Sequence, residues 1–251
     1  MPRSLVVIPA RFASVRLPGK TLLRDTGKYL VQHVYEQATL ASLVDDVLVA
    51  TDDERVVEAV ASFGGKAVMT SPDHRSGTDR VAEAARHSNA DIVVNVQGDE
   101  PEIEPEAIDL VVQLLQRHPN ADMSTLACPL RDIGRASNPH LVKVVLDAFG
   151  YALYFSRAPI PASKQYPEVP AAEGINFLAH VGIYGFRRDF LCTFANLDRS
   201  PLEQHESLEQ LRALEHGYKI IVGVSSYQAR GIDTPEEYAA FVERWRSNHP
   251  A

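Results

Sequence analysis

The amino-acid sequence predicts an α/β fold of Rossmann-like type, a mostly parallel sheet flanked by helices, on three observations. Short apolar runs alternate with amphipathic helical patterns as far as about residue 128. The first run, Leu5-Val6-Val7-Ile8, opens directly into a cation-rich loop, at the strand end where open α/β sheets bind their ligands. Beyond residue 128 the alternation stops, which predicts a smaller subdomain roughly within 129–217, inside a single domain spanning 1–251.

The elements follow in order. Strands are expected near Leu5–Ile8, Asp46–Ala50, Ala67–Thr70, Ile92–Val96 and Met123–Ala127, with helices near Leu30–Leu40, Asp53–Phe63, Gly77–His87 and Pro105–Arg117. Ser76 supplies a cap for the third helix, Pro105 a first-turn residue for the fourth, and Gly64-Gly65 ends the second. Val142–Leu146 and Tyr151–Ser156 flank Asp147-Ala148-Phe149-Gly150, which predicts an antiparallel hairpin. The proline-rich stretch from Ala158 to Gly174 reads as a loop, a lid being one reading of it. A strand over His180–Phe186, helices over Arg188–Asn196 and Leu202–Gly217, and a strand over Lys219–Val224 come next. Thr234-Pro235-Glu236-Glu237 then has the form of a capping box opening a C-terminal helix.

Charge singles out the first loop. The chain carries a net −8, yet its first thirty residues hold Arg3, Arg11, Arg16, Lys20, Arg24 and Lys28 against one acid, Asp25. A local positive patch in an acidic protein points to a compact anionic ligand and away from the broad basic face that grips nucleic acid. Arg11, Arg16 and Lys20, with backbone N–H groups of the loop, suit a polyphosphate, so the chain is expected to handle a nucleoside triphosphate. Ser14-Val15-Arg16-Leu17-Pro18-Gly19-Lys20-Thr21 ends like a P-loop, but Ser14 stands where that motif needs its first Gly. Pro18 also removes a cradle N–H, which ranks a nucleotidyltransferase above a P-loop enzyme.

Cys128 and Cys192 lie in apolar surroundings with no zinc spacing, and read as inert thiols. The sequence shows neither a run of the roughly 20 apolar residues that a membrane span needs nor a signal-peptide pattern, which predicts a cytoplasmic protein without a membrane partner.

The second chemical feature is Val94-Asn95-Val96-Gln97-Gly98-Asp99-Glu100-Pro101, where a buried strand delivers Asp99 toward the ligand crevice. Mg²⁺ takes one or two protein carboxylates and completes its shell with water and phosphate oxygens, so Asp99 reads as a metal ligand. Asp233, also after a strand and a Gly, is the natural second one. Asp after Gly is equally turn or cap chemistry, and for Asp233 the residue types leave both readings open.

Residues 8–20 and 94–101 together resemble the 3-deoxy-manno-octulosonate cytidylyltransferases, the CMP-KDO synthetases. The likeness continues in order through His74-Arg75-Ser76-Gly77-Thr78-Asp79-Arg80, Val142–Asp147, Ala152–Arg157, His180–Gly185, Leu208–Arg212 and Gly231–Glu236, covering essentially the whole chain. The resemblance implies a nucleotidyltransferase fold with an inserted dimerisation and sugar-binding subdomain, a homodimer, and Mg²⁺ on Asp99 and Asp233. The reaction implied is transfer of CMP from CTP to the anomeric hydroxyl of KDO for lipopolysaccharide synthesis. Arg11, Arg16 and Lys20 would neutralise the leaving pyrophosphate, Ser76, Gly77 and Arg80 would contact cytosine, and Arg157, Gln97, His180, Tyr184, Glu209 and Gln210 would hold KDO.

Taken from residue chemistry alone, Arg157 after an apolar strand suits a carboxylate, Tyr184 is also consistent with core packing, Glu209 with an exposed helix acid, and His180 with a structural strand-start histidine. The chain departs from the family pattern at Tyr29, where many members carry Pro, and in the 162–173 loop, which leaves an amino-substituted KDO open as substrate. Another acceptor sugar would not need Arg157 and the His180/Tyr184 set. A noncatalytic nucleotide-binding regulator could dispense with one of the two carboxylates.

Overall fold

The structure, a computed structural model, describes residues 2–13, 16–130, 132–162 and 177–249. Most of the 158–174 loop therefore lies outside the described residues. Two compact units are present, Met1–Asp109 with Ala229–Ala251, and Leu110–Gln228.

The first unit is a parallel β/α/β array. Strands β1 (Ser4–Pro9), β2 (Asp46–Thr51), β3 (Ala67–Met69) and β4 (Ile92–Asn95) alternate with helices α1 (Leu30–Thr39), α2 (Glu54–Ser62) and α3 (Gly77–Ala85). They lie in the order β3-β2-β1-β4, all parallel, with Val6 opposite Val47 on one side and Val94 on the other. Covered on both faces, β1 reads as a continuous apolar run rather than an alternation, and Val6, Val7 and Ile8 have no exposed surface. The chain steps outward from β1 to β2 and β3, and then crosses back through α3 to lay β4 on the other side of β1. The order reverses between β1 and β4, and at such switch points a crevice opens beyond the carboxyl ends of the strands.

The turns obey their sequence signals. Asp53 caps α2 by accepting from the Arg55 N–H at 3.0 Å, and Ser76 caps α3 by accepting from the Asp79 N–H at 3.1 Å. The last helix of the chain, Pro235–Asn248, also packs in this unit. Its Tyr238, Phe241 and Val242 bury against Leu17, Leu30 and Ile232.

The second unit contains α4 (Pro105–Arg117, which enters from the first unit), β5 (Met123–Pro129), β6 (Lys143–Leu146), β7 (Ala152–Ser156), β8 (Leu178–Arg187), α5 (Arg188–Phe194), α6 (Pro201–Glu206), α7 (Gln210–Glu215) and β9 (Ile220–Val224). Strand β5 runs parallel to β9 and antiparallel to β8. The expected hairpin forms from β6 and β7, with Lys143 opposite Ser156. Residues 235–248 form α8, whose capping box is complete: Thr234 Oγ1 accepts from the Glu237 N–H at 3.2 Å and Glu237 Oε2 from the Thr234 N–H at 3.0 Å.

One expected element is corrected. Leu202–Gly217 is not a single helix, because Ser207 takes a left-handed conformation with φ 52° and separates α6 from α7. The Arg157 guanidinium stabilises the break: Nε donates to the Glu206 carbonyl at 2.6 Å and Nη2 to the Ser207 carbonyl at 3.2 Å. Helix-end carbonyls that a continuous helix would satisfy internally are taken by a side chain from elsewhere in the unit. Periodicity along 202–217 carries no trace of that distant partner. Among the described residues, no helix is long and apolar enough to cross a membrane.

Candidate active site

A cavity of about 310 Å³ opens in the first unit, walled by the segments that leave β1 and β4, the amino end of α3, the basic loop and the approach to α8. Nine of the residues expected from sequence line it: Arg11, Arg16, Lys20, Ser76, Gly77, Arg80, Gln97, Asp99 and Asp233. Two other cations of the first thirty residues are used differently. Lys28 pairs with Glu36 at 2.6 Å, and the Arg24 guanidinium lies 4.9 Å from the Tyr29 ring centroid.

The loop is held by packing around Gly19, whose φ of 64° favours glycine; a Cβ there would stand 3.3 Å from the Phe12 ring. Arg55 covers the Phe12 ring at 3.5 Å. Lys20–Leu22 then forms a short 3-10 turn that fixes the backbone of Lys20. Thr21, not singled out by the sequence reading, is buried beside it with a hydroxyl that meets no hydrogen-bond partner among the described residues.

Gly98 has a steric role: a Cβ would come within 2.8 Å of the Pro9 carbonyl oxygen. Its absence lets the ends of β1 and β4 approach, which brings Asp99 beside the basic loop. The segment carrying Asp233 is joined to it by the Ile232 N–H, which donates to the Asp99 carbonyl at 2.9 Å. Glu237 Oε2 also accepts from the Asp233 N–H at 2.7 Å, so the cap of α8 fixes the backbone of this aspartate.

These constraints bring the two carboxylates onto one cationic atom. Lys20 Nζ donates to Asp99 Oδ2 at 2.5 Å, to Asp233 Oδ1 at 3.0 Å and to the Ile232 carbonyl at 3.1 Å. Arg16 Nη2 pairs with the other oxygen of Asp233 at 2.8 Å.

Arg80, also lining the cavity, is buried and its direction is set by Asp52 Oδ2 at 2.8 Å and Thr70 Oγ1 at 2.5 Å. Sequence reasoning missed Asp52 as its anchor. Gln97 Nε2 donates to Asn95 Oδ1 at 3.4 Å and Asn95 Nδ2 to Thr78 Oγ1 at 3.3 Å, a polar chain from the end of β4 into α3. His74, another lining residue, bonds through Nε2 to Glu83. The Ser71 N–H holds the Glu83 carboxyl below its usual range, an effect opposed by burial and aided by His74.

The remaining expected residues, Arg157, His180, Tyr184, Glu209 and Gln210, lie in the second unit. Arg157 has a third carbonyl partner, that of Pro139 at 2.9 Å, so three of its five N–H donors are engaged with backbone. Glu206 accepts from the Arg157 N–H at 2.9 Å and from the Ser156 hydroxyl at 2.7 Å. Burial pushes the Glu206 carboxyl up, but these donors outweigh it and leave it below its usual range.

Burial pushes the His180 imidazole down to about 3, so it is neutral near pH 7. Thr125 Oγ1 lies 2.8 Å from the Ile183 carbonyl, 3.1 Å from that of Val181 and 2.9 Å from His180 Nε2. The single hydroxyl proton is drawn by the carbonyls, which assigns the donor role to His180 Nε2 and leaves Nδ1 as an acceptor. Tyr184 donates to Gln210 Oε1 at 3.2 Å, and Glu209 lies 3.8 Å from Arg212. Gln210 Nε2 is buried without a hydrogen-bond partner among the described residues. Lys143, which the sequence reading left in a strand, is fully buried with its ammonium on the carbonyls of Asn138, Leu141 and Arg157 at 3.2, 2.6 and 2.5 Å.

Comparison with known proteins bears on both units. Residues 5–220 match the Cytidylyltransferase family. The 3-deoxy-manno-octulosonate cytidylyltransferase of Solibacter usitatus is 49% identical over 238 residues, 94% of this chain and 92% of that protein. The protein of the same description from Geobacter sulfurreducens is 48% identical over 243 residues, 95% of this chain and 97% of that one. A solved structure of CMP:2-keto-3-deoxy-manno-octonic acid synthetase complexed with CTP matches with a TM-score of 0.91 at 43% identity, covering 98% of this chain and 99% of that chain.

Proposed function

The chain belongs to the family of 3-deoxy-manno-octulosonate cytidylyltransferases, and on that premise we propose that it transfers CMP from CTP to the anomeric hydroxyl of KDO, releasing pyrophosphate and activating the sugar for lipopolysaccharide synthesis. The observation that carries this reading is the meeting of Asp99 and Asp233 at one cationic atom, within a cavity that Arg11 and Arg16 also line. The reaction is an in-line displacement at the α-phosphorus, in which negative charge grows on the departing pyrophosphate. Arg11, Arg16 and Lys20 bind the triphosphate and neutralise that charge as it develops. Ser76 and Gly77 open the nine-residue helix α3, and the N–H groups there, with Arg80 held by Asp52 and Thr70, receive the nucleoside end.

The carboxylate pair fits a divalent cation. Asp99 and Asp233 already accept from one ammonium nitrogen, and two carboxylates suffice for Mg²⁺ when phosphate oxygens and water complete its shell. Mg²⁺ held there would supply charge neutralisation at the α-phosphate and lower the pKa of the attacking hydroxyl. We assign no separate general base.

For the acid sugar, Arg157 meets three carbonyls among the described residues, which engage three of its five N–H donors, and two further donors are enough for a carboxylate. Neutral His180, the Tyr184–Gln210 pair and Glu209 offer donors and acceptors for hydroxyls. A homodimer working in the cytoplasm completes the proposal. Incubation of the protein with CTP, KDO and Mg²⁺, followed by ³¹P NMR, is expected to show pyrophosphate and a new phosphodiester resonance. Folded protein that consumed CTP and gave only CMP or CDP would refute the assignment.

A further inference from the structure

Lys20 is in the wrong place for the role that the phosphate loop gives it. An ammonium has three N–H donors, and all three are met, by Asp99 Oδ2, Asp233 Oδ1 and the Ile232 carbonyl. None is left for a phosphate oxygen. The group is also sheltered, with 14% of the side chain exposed against 26% for Asp99 and 40% for Asp233. Asp233 gives its second oxygen to Arg16. Two carboxylate charges are thus balanced by two cations supplied by the chain, the charge that one divalent metal ion would bring.

We propose that Lys20 is a built-in occupant of the Asp99/Asp233 seat, so that divalent metal and nucleotide bind with mutual positive coupling: the triphosphate draws Lys20 and Arg16 off the carboxylates, and metal entering the seat frees them for the triphosphate. This rests on the reading of Asp99 and Asp233 as the metal ligands. Three physical facts support it. The backbone of Lys20 is fixed by the 3-10 turn, with its N–H on the Leu17 carbonyl at 3.2 Å and the Leu22 N–H on that of Gly19 at 2.9 Å, so the exchange needs only rotation of a four-carbon stem. An ammonium and a metal ion cannot share one pair of carboxylates without close repulsion in a half-buried site. Withdrawal of the ammonium without a replacement would leave two carboxylates facing each other, so the departure of one cation and the arrival of the other are linked, and linkage is reciprocal. The seat is closed while the nucleotide is absent and opens when it arrives.

The test is Mn²⁺ binding without nucleotide, read from the electron paramagnetic resonance signal of the free ion. Proteins compared are the unaltered chain, Lys20→Met, Lys20→Gln as a second neutral replacement, and Asp99→Asn placed in each background, with circular dichroism melts to verify folding. Removing the ammonium is expected to tighten Mn²⁺ binding at least about tenfold, and Asp99→Asn to abolish that gain. If both neutral variants bind Mn²⁺ as weakly as the unaltered chain, or more weakly, while Asp99→Asn still lowers binding, the metal seat stands and Lys20 is not its occupant. Binding indifferent to Asp99→Asn in every background overturns the metal reading itself and this inference with it. Absence of Mn²⁺ binding by the folded Lys20 variants also overturns the inference.

Discussion

The Ile232 N–H donates to the Asp99 carbonyl at 2.9 Å, tying together two segments more than 130 positions apart in sequence and setting the spacing of the two acidic residues of the site. Asp233 follows directly, and the cap of α8 holds its N–H. A helix cap on one side and a single backbone hydrogen bond on the other therefore govern where the second carboxylate points.

Thr234→Ala tests that dependence. Loss of the N-cap hydroxyl costs about 1 kcal/mol. In a chain of this size that is roughly 2–4 °C of melting temperature. Because the cap also orients Asp233, turnover is expected to fall further than the lost stability explains, with a higher Mg²⁺ requirement that Thr234→Ser restores.

Asp99→Asn keeps the shape and removes the charge. The Lys20 contact is partly exposed, and such pairs contribute about 1 kcal/mol or less, so the melting temperature is expected to move by only a few degrees. Turnover is expected to fall by at least about a hundredfold, as when a charge-stabilising group is removed from a reacting centre. Near-normal pyrophosphate release by this variant would remove Asp99 from the metal role.

Arg157→Ala separates sugar from nucleotide. The KM for KDO is expected to rise at least about tenfold while that for CTP stays within about twofold. The melting temperature should also fall, because the break between α6 and α7 loses two carbonyl partners. A change confined to CTP would misplace the sugar pocket.

His33 links stability to pH. It is buried, bonded to Thr26 Oγ1 at 2.7 Å and packed edge-on against Phe241 and Trp245. Burial first, and then the Lys28 charge, push its pKa from 6.5 down to about 4. Between those values the unfolded chain takes up a proton that the folded chain refuses, so stability is present above pH 6.5 and is lost as pH falls toward 4. This group alone contributes a slope of up to about 1.4 kcal/mol per pH unit within that window. Denaturant titrations at pH 7, 5.5 and 4.5 should show the loss, and His33→Gln should flatten it; an unchanged slope would place the proton uptake elsewhere, with His180 the other depressed histidine.

The first unit was legible because its signals are local. Apolar runs, the Ser76 cap and the capping box at Thr234 each act within a few residues, and β1 is buried on both faces, so their elements lie close to where the sequence places them. Arg11, Arg16, Lys20 and Asp99 could be read as one site because parallel strands deliver their following loops to a common edge. What the sequence concealed is long-range. The division at Ser207 depends on Arg157, fifty positions earlier, and the direction of Arg80 depends on Asp52. Lys143 reads as a strand lysine until the three carbonyls around it are seen.

The central claim is most directly tested by pyrophosphate release from the purified protein with each of CTP, UTP, ATP and GTP, with and without KDO and with and without Mg²⁺. The account predicts release only when CTP, KDO and Mg²⁺ are present together. Release with another nucleotide at a comparable rate, or release from CTP that ignores KDO, would contradict it.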